Sequence, residues 1–320
     1  MTRLILQPAS NKGAREHYRD TVSSAVDLTS IKALLSPDEA VAIEQNYPDQ
    51  KVFCWGVTPS DKNRRNWEKI SRGDVTLFAK SGKLFAKATT TFKSRNRQLA
   101  TQLWGVNEKG ETWEYMYFLN EVQELSIPYP EFNAVIGYKP NFVIQGFMVL
   151  DEVKAAPVLS AFDMWSPTFF PEVTKQELSS VLQSMEETER EAVVKTRKEQ
   201  AFLRNALFGS SVVSDCACCG DTFPISMLVT AHLKPRSKCS REERLDTNVV
   251  LPMCKFGCDE LYEKGFLIVD ASGKLEARGN GTTPVVQSRL RDLHGRAVKG
   301  YSRANAAYFA WHKGHHDPEG

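Results

Sequence analysis

Two close cysteine pairs, Cys216-x-x-Cys219 and Cys254-x-x-x-Cys258, lie thirty-odd residues apart in the last third of the chain. Each pair can turn two sulfurs toward one point, so together they offer the four corners of a tetrahedron around one zinc ion. Cys218 competes for a place in that set, and Cys239 lies in a charged loop outside it. The seven cysteines are odd in number and gathered mostly in one region. That usage speaks against a disulfide framework and for a reducing compartment, so the expectation is a cytoplasmic protein. Zinc would staple a region too poor in apolar residues to fold alone.

A chain of 320 residues is long enough for two separate cores. No apolar run approaches the ~20 residues needed to cross a bilayer, and the start of the sequence lacks the apolar stretch and cleavage site of a secretion signal. The formal net charge is only +2, but its distribution is uneven. Residues 51–110 hold thirteen Lys and Arg against four Asp and Glu, whereas residues 111–190 hold four against thirteen. Segregation of that size favours one face suited to a polyanion such as nucleic acid.

Along the chain, residues 1–50 read as an entry segment with one or two short helices, and Ser36-Pro37-Asp38-Glu39 as a helix cap. Short apolar runs follow. Residues 52–57 read as a strand and 63–70 as a short basic helix. Residues 75–79 and 84–89 read as a hairpin about Ser81-Gly82, 113–119 as a half-buried strand, and 142–144 with 147–150 as the close of the region. The pattern predicts a strand-rich α+β domain over residues 1–170, built as a small β-barrel. Residues 175–207, rich in Glu, Lys and Arg and free of Gly and Pro, predict a linker helix within 171–210. Its last turns, with Phe202, Leu203, Leu207 and Phe208, are expected to dock on a C-terminal domain over 211–320. Residues 312–320 read as a frayed tail.

Between the cysteine pairs, residues 228–232 read as a strand ending in His232, Asn248 precedes an apolar run, and Asp259 opens a short helix that turns into a strand. This arrangement resembles the HNH nucleases and their ββα-metal fold. The resemblance implies that His232 is the general base, Asn248 its orienting partner, and Asp259 a ligand for catalytic Mg²⁺ or Mn²⁺. Those residue types suit the chemistry: an imidazole takes a proton from water near neutral pH, and a carboxylate holds a hard cation. The chain departs from the family at Ala231, where many members carry a metal-binding Asp, and at Asp259, which follows the last cysteine where a His is usual. Asp246 is a further acid nearby. His294, His312, His315 and His316 are assigned to the surface or tail.

Five of the six tryptophans, Trp55, Trp67, Trp104, Trp113 and Trp165, precede the linker and interleave with the basic segment, a composition suited to base stacking. The run from Phe53-Cys54-Trp55 through Trp67 and Gly73-Asp74-Val75 to Ala88 resembles the EVE/YTH branch of the PUA superfamily, whose members enclose a modified base in an aromatic cage. The resemblance implies Trp55 and Trp104 as cage walls, with Asn63 and Asn66 as candidate readers of the base edge; Trp113, read in a strand, is assigned to the core. Fused to an HNH unit, such a domain is similar to modification-dependent restriction endonucleases. The expected partner is double-stranded DNA carrying 5-methyl- or 5-hydroxymethylcytosine, flipped into the pocket and cut nearby, with no membrane partner and a homodimer as one route to double-strand cleavage. Arg64, Arg65, Lys234, Arg236, Lys238 and Arg241 are the expected phosphate contacts. The alternatives are an inactive zinc-stapled module that binds modified DNA, and a reader or nuclease of modified RNA.

Overall fold

The computed structural model describes residues 2–183, 189–278 and 283–316. The chain forms two compact units, one of Met1–Glu172 with Met185–Arg197 and one of Val173–Ser184 with Lys198–Gly320.

In order, the first unit contains β1 (Leu4–Pro8), α1 (Lys12–Tyr18), a π-helical turn at Arg19–Ser23, β2 (Val26–Asp27), α2 (Leu28–Ile31), α3 (Pro37–Asn46), β3 (Lys51–Val57) and α4 (Asp61–Glu68). Then come β4 (Val75–Lys80), β5 (Lys83–Arg95), α5 (Arg97–Trp104), β6 (Tyr115–Pro128), α6 (Tyr129–Ile136), β7 (Met148–Leu150) and α7 (Glu152–Ala161). Among the described residues the strands make one seven-stranded sheet in the order β2-β3-β6-β5-β4-β1-β7. All neighbours are antiparallel except β1 and β4, where Leu4 lies opposite Val75 and Pro8 opposite Ala79. Strand alternation divides the apolar residues between two faces. Leu4, Leu6, Val75, Leu77 and Ala79 pack with Phe132 and Ile136 of α6 and Val158 and Leu159 of α7. Ile5, Phe78, Trp55, Val57, Tyr117 and Leu119 meet on the other side.

The hairpin lies where its turn residues require it. Ser81 and Gly82 both take positive φ, 50° and 77°, as a two-residue turn between right-twisted strands demands. Ser36 and Glu39 close a full capping box on α3. Other expectations are corrected. The sheet keeps two edges instead of closing into a barrel, because β2 and β7 contribute two and three residues, too few to pair along a seam. The entry segment supplies β1, an inner strand, besides its helices. Trp113 precedes the strand that begins at Tyr115, and residues 142–144 form no strand.

The second unit begins with α8 (Lys175–Gln183), and α9 (Glu189–Phe208) runs into it at Lys198; residues 184–188, inside the expected linker helix, lie outside the described residues. It continues with β8 (Val213–Asp215), β9 (Thr222–Pro224), β10 (Leu228–His232), α10 (Arg241–Arg244), β11 (Val250–Cys254), α11 (Cys258–Glu263), β12 (Leu267–Val269), β13 (Leu275–Ala277), α12 (Pro284–Leu293) and α13 (Ala306–His316). The strands pair as β8–β9, β10–β11 and β12–β13. The core gathers the cysteines with Leu228, Val250, Met253, Leu261, Tyr262, Leu267 and Phe309, and Leu203, Phe208, Phe202 and Leu207 of α9 pack on it. The expected frayed tail is helical as far as it is described: α13 reaches His316, and its His312 is buried against Tyr262, rings 3.8 Å apart. Residues 317–320 lie outside the described residues.

Candidate functional site

The zinc set is built by two turns and a helix start. Cys216 and Cys219 sit between β8 and β9, where Gly220 adopts φ 76° and its N–H returns to the Cys216 carbonyl at 2.9 Å. Cys254 ends β11, and Gly257, at φ 108°, turns the chain so that Cys258 opens α11. The sulfurs of Cys216, Cys219, Cys254 and Cys258 all lie within 4.8 Å of one another, and all four residues are buried. Zinc with four thiolates at about 2.3 Å has sulfurs about 3.8 Å apart, so the donor set fits that ion. Cys218 is buried beside the group without belonging to it. Hydrogen bonds from Cys218, Cys254 and Cys258 hold the Cys216 thiol far below its usual range, while burial pushes Cys219 up to about 12. Second contacts favour thiolate: the Cys254 N–H donates to the Cys216 sulfur at 3.3 Å, and Arg289 Nη2 donates to the Cys258 sulfur at 3.5 Å. Cys239 instead donates to the Lys234 and Pro235 carbonyls.

Around this staple the hairpin β10–β11 pairs in antiparallel register, Leu228 opposite Cys254 and His232 opposite Val250. The Tyr262 hydroxyl of α11 donates to the Leu233 carbonyl at 3.0 Å, tying the helix to the end of β10. The result is a strand pair and helix with His232 at a strand end. Its Nε2 is buried without a hydrogen-bond partner. Burial lowers the His232 pKa; Glu199 and the Thr230 backbone act against it, and Arg236 and Arg244 act with it. A neutral imidazole with an unengaged lone pair is chemically a base. Glu199, on α9, is almost completely buried and grips Arg236 with both carboxylate oxygens. Nothing in the composition of a Glu/Lys/Arg-rich helix singled it out.

The other expected residues stand as follows. The Asn248 amide donates to Asp246 at 2.7 Å, and the Tyr308 hydroxyl holds the second Asp246 oxygen at 2.7 Å. Asp259 has its carboxyl pushed up to about 6 by burial and by Glu263 and Glu260. Among the described residues the four cysteines are the one group of three or more His, Cys, Asp or Glu side chains close enough to share an ion. Asp259 therefore offers a carboxylate, not a built cation site. Lys234 pairs with Glu243 at 2.7 Å, and Arg241 donates to the Ser179 carbonyl at 3.4 Å. Lys238 is exposed, Arg64 pairs with Glu68 on the surface of α4, and Arg65 is exposed beside it.

In the first unit, Trp55 of β3 and Trp104 at the end of α5 come together around a third residue, His17. Trp113 joins them, its ring edge-on to His17 at 4.1 Å, so the residue assigned to the core lines the box. Gly56 makes this approach feasible: a Cβ there would lie 2.1 Å from the Trp113 carbonyl oxygen and 2.8 Å from the Trp104 ring. The indole nitrogens of Trp55 and Trp104 and the hydroxyl of Thr112 are buried without partners. The Asn63 amide donates to the Thr58 carbonyl at 2.9 Å beside the N-terminus of α4. Trp67 packs against Tyr115 and donates to the Met116 carbonyl.

The sequence matches no family model and no curated protein. Among solved structures, the N-terminal domain of Thermococcus gammatolerans McrB bound to m5C DNA is similar over 51% of this chain and 98% of its own, with 17% identity and a TM-score of 0.40. The YTH domain of Zygosaccharomyces rouxii MRB1, in complex with N6-methyladenosine RNA, is similar over 52% of this chain and 89% of its own, with 14% identity and a TM-score of 0.28. Likenesses of this size carry no weight for function.

Proposed function

We propose that the chain is a modification-dependent DNA endonuclease, in which the first unit receives a flipped 5-methyl- or 5-hydroxymethylcytosine and the second hydrolyses a nearby phosphodiester. The observation that carries the reading is the cysteine-stapled β10–β11–α11 element, which presents His232 at a strand end with an unpartnered, buried Nε2. In this reading His232 takes the proton of the attacking water. The Arg236 guanidinium, fixed by Glu199, faces phosphate charge beside it. The Asp246–Asn248 pair holds the loop that leads into β11. A divalent ion, if bound, would supply charge neutralisation at the phosphate; Asp259 is the carboxylate expected to help hold it. Flipping a base costs a few kcal/mol of unstacking, which stacking in the tryptophan box offsets by about 1–3 kcal/mol per base.

The test is a plasmid assay in Mg²⁺ and in Mn²⁺. Plasmid carrying 5-methylcytosine or 5-hydroxymethylcytosine is expected to be cut, unmodified plasmid spared, and His232→Ala inactive. Equal cutting of all plasmids removes the reader assignment. Binding of modified DNA without cleavage in any divalent metal removes the nuclease assignment and leaves a zinc-stapled binding module.

A further inference from the structure

We propose, resting on the reader assignment above, that His17 is an internal occupant of the tryptophan box and that a modified base enters by displacing it. Helix α1 buries one residue, and that residue is this histidine. Its imidazole meets indoles on several sides: Trp113 edge-on at 4.1 Å, Trp104 stacked at 5.5 Å with 29° between planes, and Trp55 edge-on at 6.4 Å. A flat ring held between two others needs them about 7 Å apart, two contacts of about 3.5 Å each. The spacing of His17 and Trp104 admits no second ring, so imidazole and base exclude one another.

The imidazole is also an incomplete occupant. With it in place, the indole N–H groups of Trp55 and Trp104 remain buried and unpartnered, and such groups are costly to leave unpaired. A nucleobase carries carbonyl oxygens and ring nitrogens on its edges and can accept from these donors. The matching ligand is therefore a planar heteroaromatic ring with acceptors on its rim, not an apolar ring and not a chain-like cation. The backbone beneath His17 is tied down independently. The Thr21 hydroxyl lies 3.0 Å from the His17 carbonyl and 2.8 Å from the Cys54 carbonyl of β3, and the π-helical turn Arg19–Ser23 follows directly, an irregularity that recurs at functional sites. The ring can thus leave by rotating its side chain while α1 stays docked.

The experiment compares the full chain with His17→Ala and His17→Phe, using one duplex with a single 5-methylcytosine and the same duplex unmodified. Removing an internal competitor raises the fraction of open box, so His17→Ala is expected to bind the modified duplex roughly 5–10-fold more tightly, with the unmodified duplex unchanged. His17→Phe keeps the box filled by a ring with no polar atoms to desolvate, and is expected to weaken binding of the modified duplex. Unchanged or weaker binding by a folded His17→Ala overturns the inference and makes His17 a wall of the pocket. Tighter binding by His17→Phe overturns it as well, by a variant that fills the same space. Wild-type protein that fails to prefer the modified duplex overturns the reader assignment itself, which is distinguishable from either result.

Discussion

Glu199 holds Arg236 with both carboxylate oxygens, 2.7 Å to Nε and 2.8 Å to Nη2, with 1% of the glutamate side chain exposed. The glutamate is buried, but the Arg236 side chain is 39% exposed. Removing the carboxylate leaves a partly hydrated guanidinium, and the loss is that of two charge-assisted hydrogen bonds. Glu199→Gln is therefore expected to destabilise the second unit by about 1–3 kcal/mol, read by denaturant unfolding. The same change removes the carboxylate that opposes the lowering of the His232 pKa, so NMR titration should place the variant's His232 pKa below that of the wild type. An unmoved titration would show that Glu199 and His232 are electrically independent.

The zinc set leads to a second expectation. Zinc binds the cysteines as thiolates, displacing their protons, and only the folded unit brings the four sulfurs together, so metal binding and folding of the second unit are expected to be coupled. One zinc per chain is expected by elemental analysis, and a strong chelator should melt the β10–β11–α11 element while the sheet of the first unit persists in circular dichroism. Cys254→Ala should do the same, whereas Cys239→Ala, outside the set, should leave the zinc content unchanged.

Acid should loosen α13. His312 uses Nε2 against the Tyr262 carbonyl at 2.8 Å, and its Nδ1 is buried without a partner. Burial, then the neighbouring His316, lowers its pKa from 6.5 to about 4. The folded state thus prefers the neutral ring. The stabilisation is present above pH 6.5 and is lost as pH falls from there through about 4, up to ~3 kcal/mol in all. Stability measured across that window should fall less steeply in His312→Gln than in the wild type.

Gly56 offers the sharpest test of the box. A methyl group there would overlap the Trp113 carbonyl, a backbone atom that cannot rotate aside. Gly56→Ala is expected to cost about 1–3 kcal/mol through overpacking and to shift tryptophan emission, because the end of α5 with Trp104 and the segment carrying Trp113 must move away from β3. Unchanged emission and stability would mean that these segments close without tight contact.

Local chemistry was readable from the sequence wherever neighbours in the chain carry it. The two cysteine pairs, the Ser81-Gly82 turn, the Ser36 cap and the strand ending at His232 each lie within a few consecutive residues, and each appears in the structure at its expected place. What depends on distant partners was not readable. His17 meets Trp55, Trp104 and Trp113 across dozens of residues, and no periodicity marks a single buried histidine on a short helix. Trp113 looked like a strand residue because the apolar alternation of β6 extends back through it. Glu199 is one charge among several along α9, and its bidentate grip on Arg236, 37 residues away in the chain, is a tertiary fact. The end of the chain looked frayed because His312, His315 and His316 are polar; the buried stacking of His312 on Tyr262 is a tertiary fact.

Strand β1 is hydrogen-bonded on both sides, to β4 and to β7. During synthesis it leaves the ribosome long before Met148, which must follow it at about 5–20 residues per second, so Leu4, Ile5 and Leu6 wait roughly 7–30 s for both neighbours to exist. The edge toward β4 can close once Val75–Lys80 has been made, but the edge toward β7 stays open for the whole of that time. Deleting residues 4–8 would remove the strand between β4 and β7 and leave β7 with no strand to pair with.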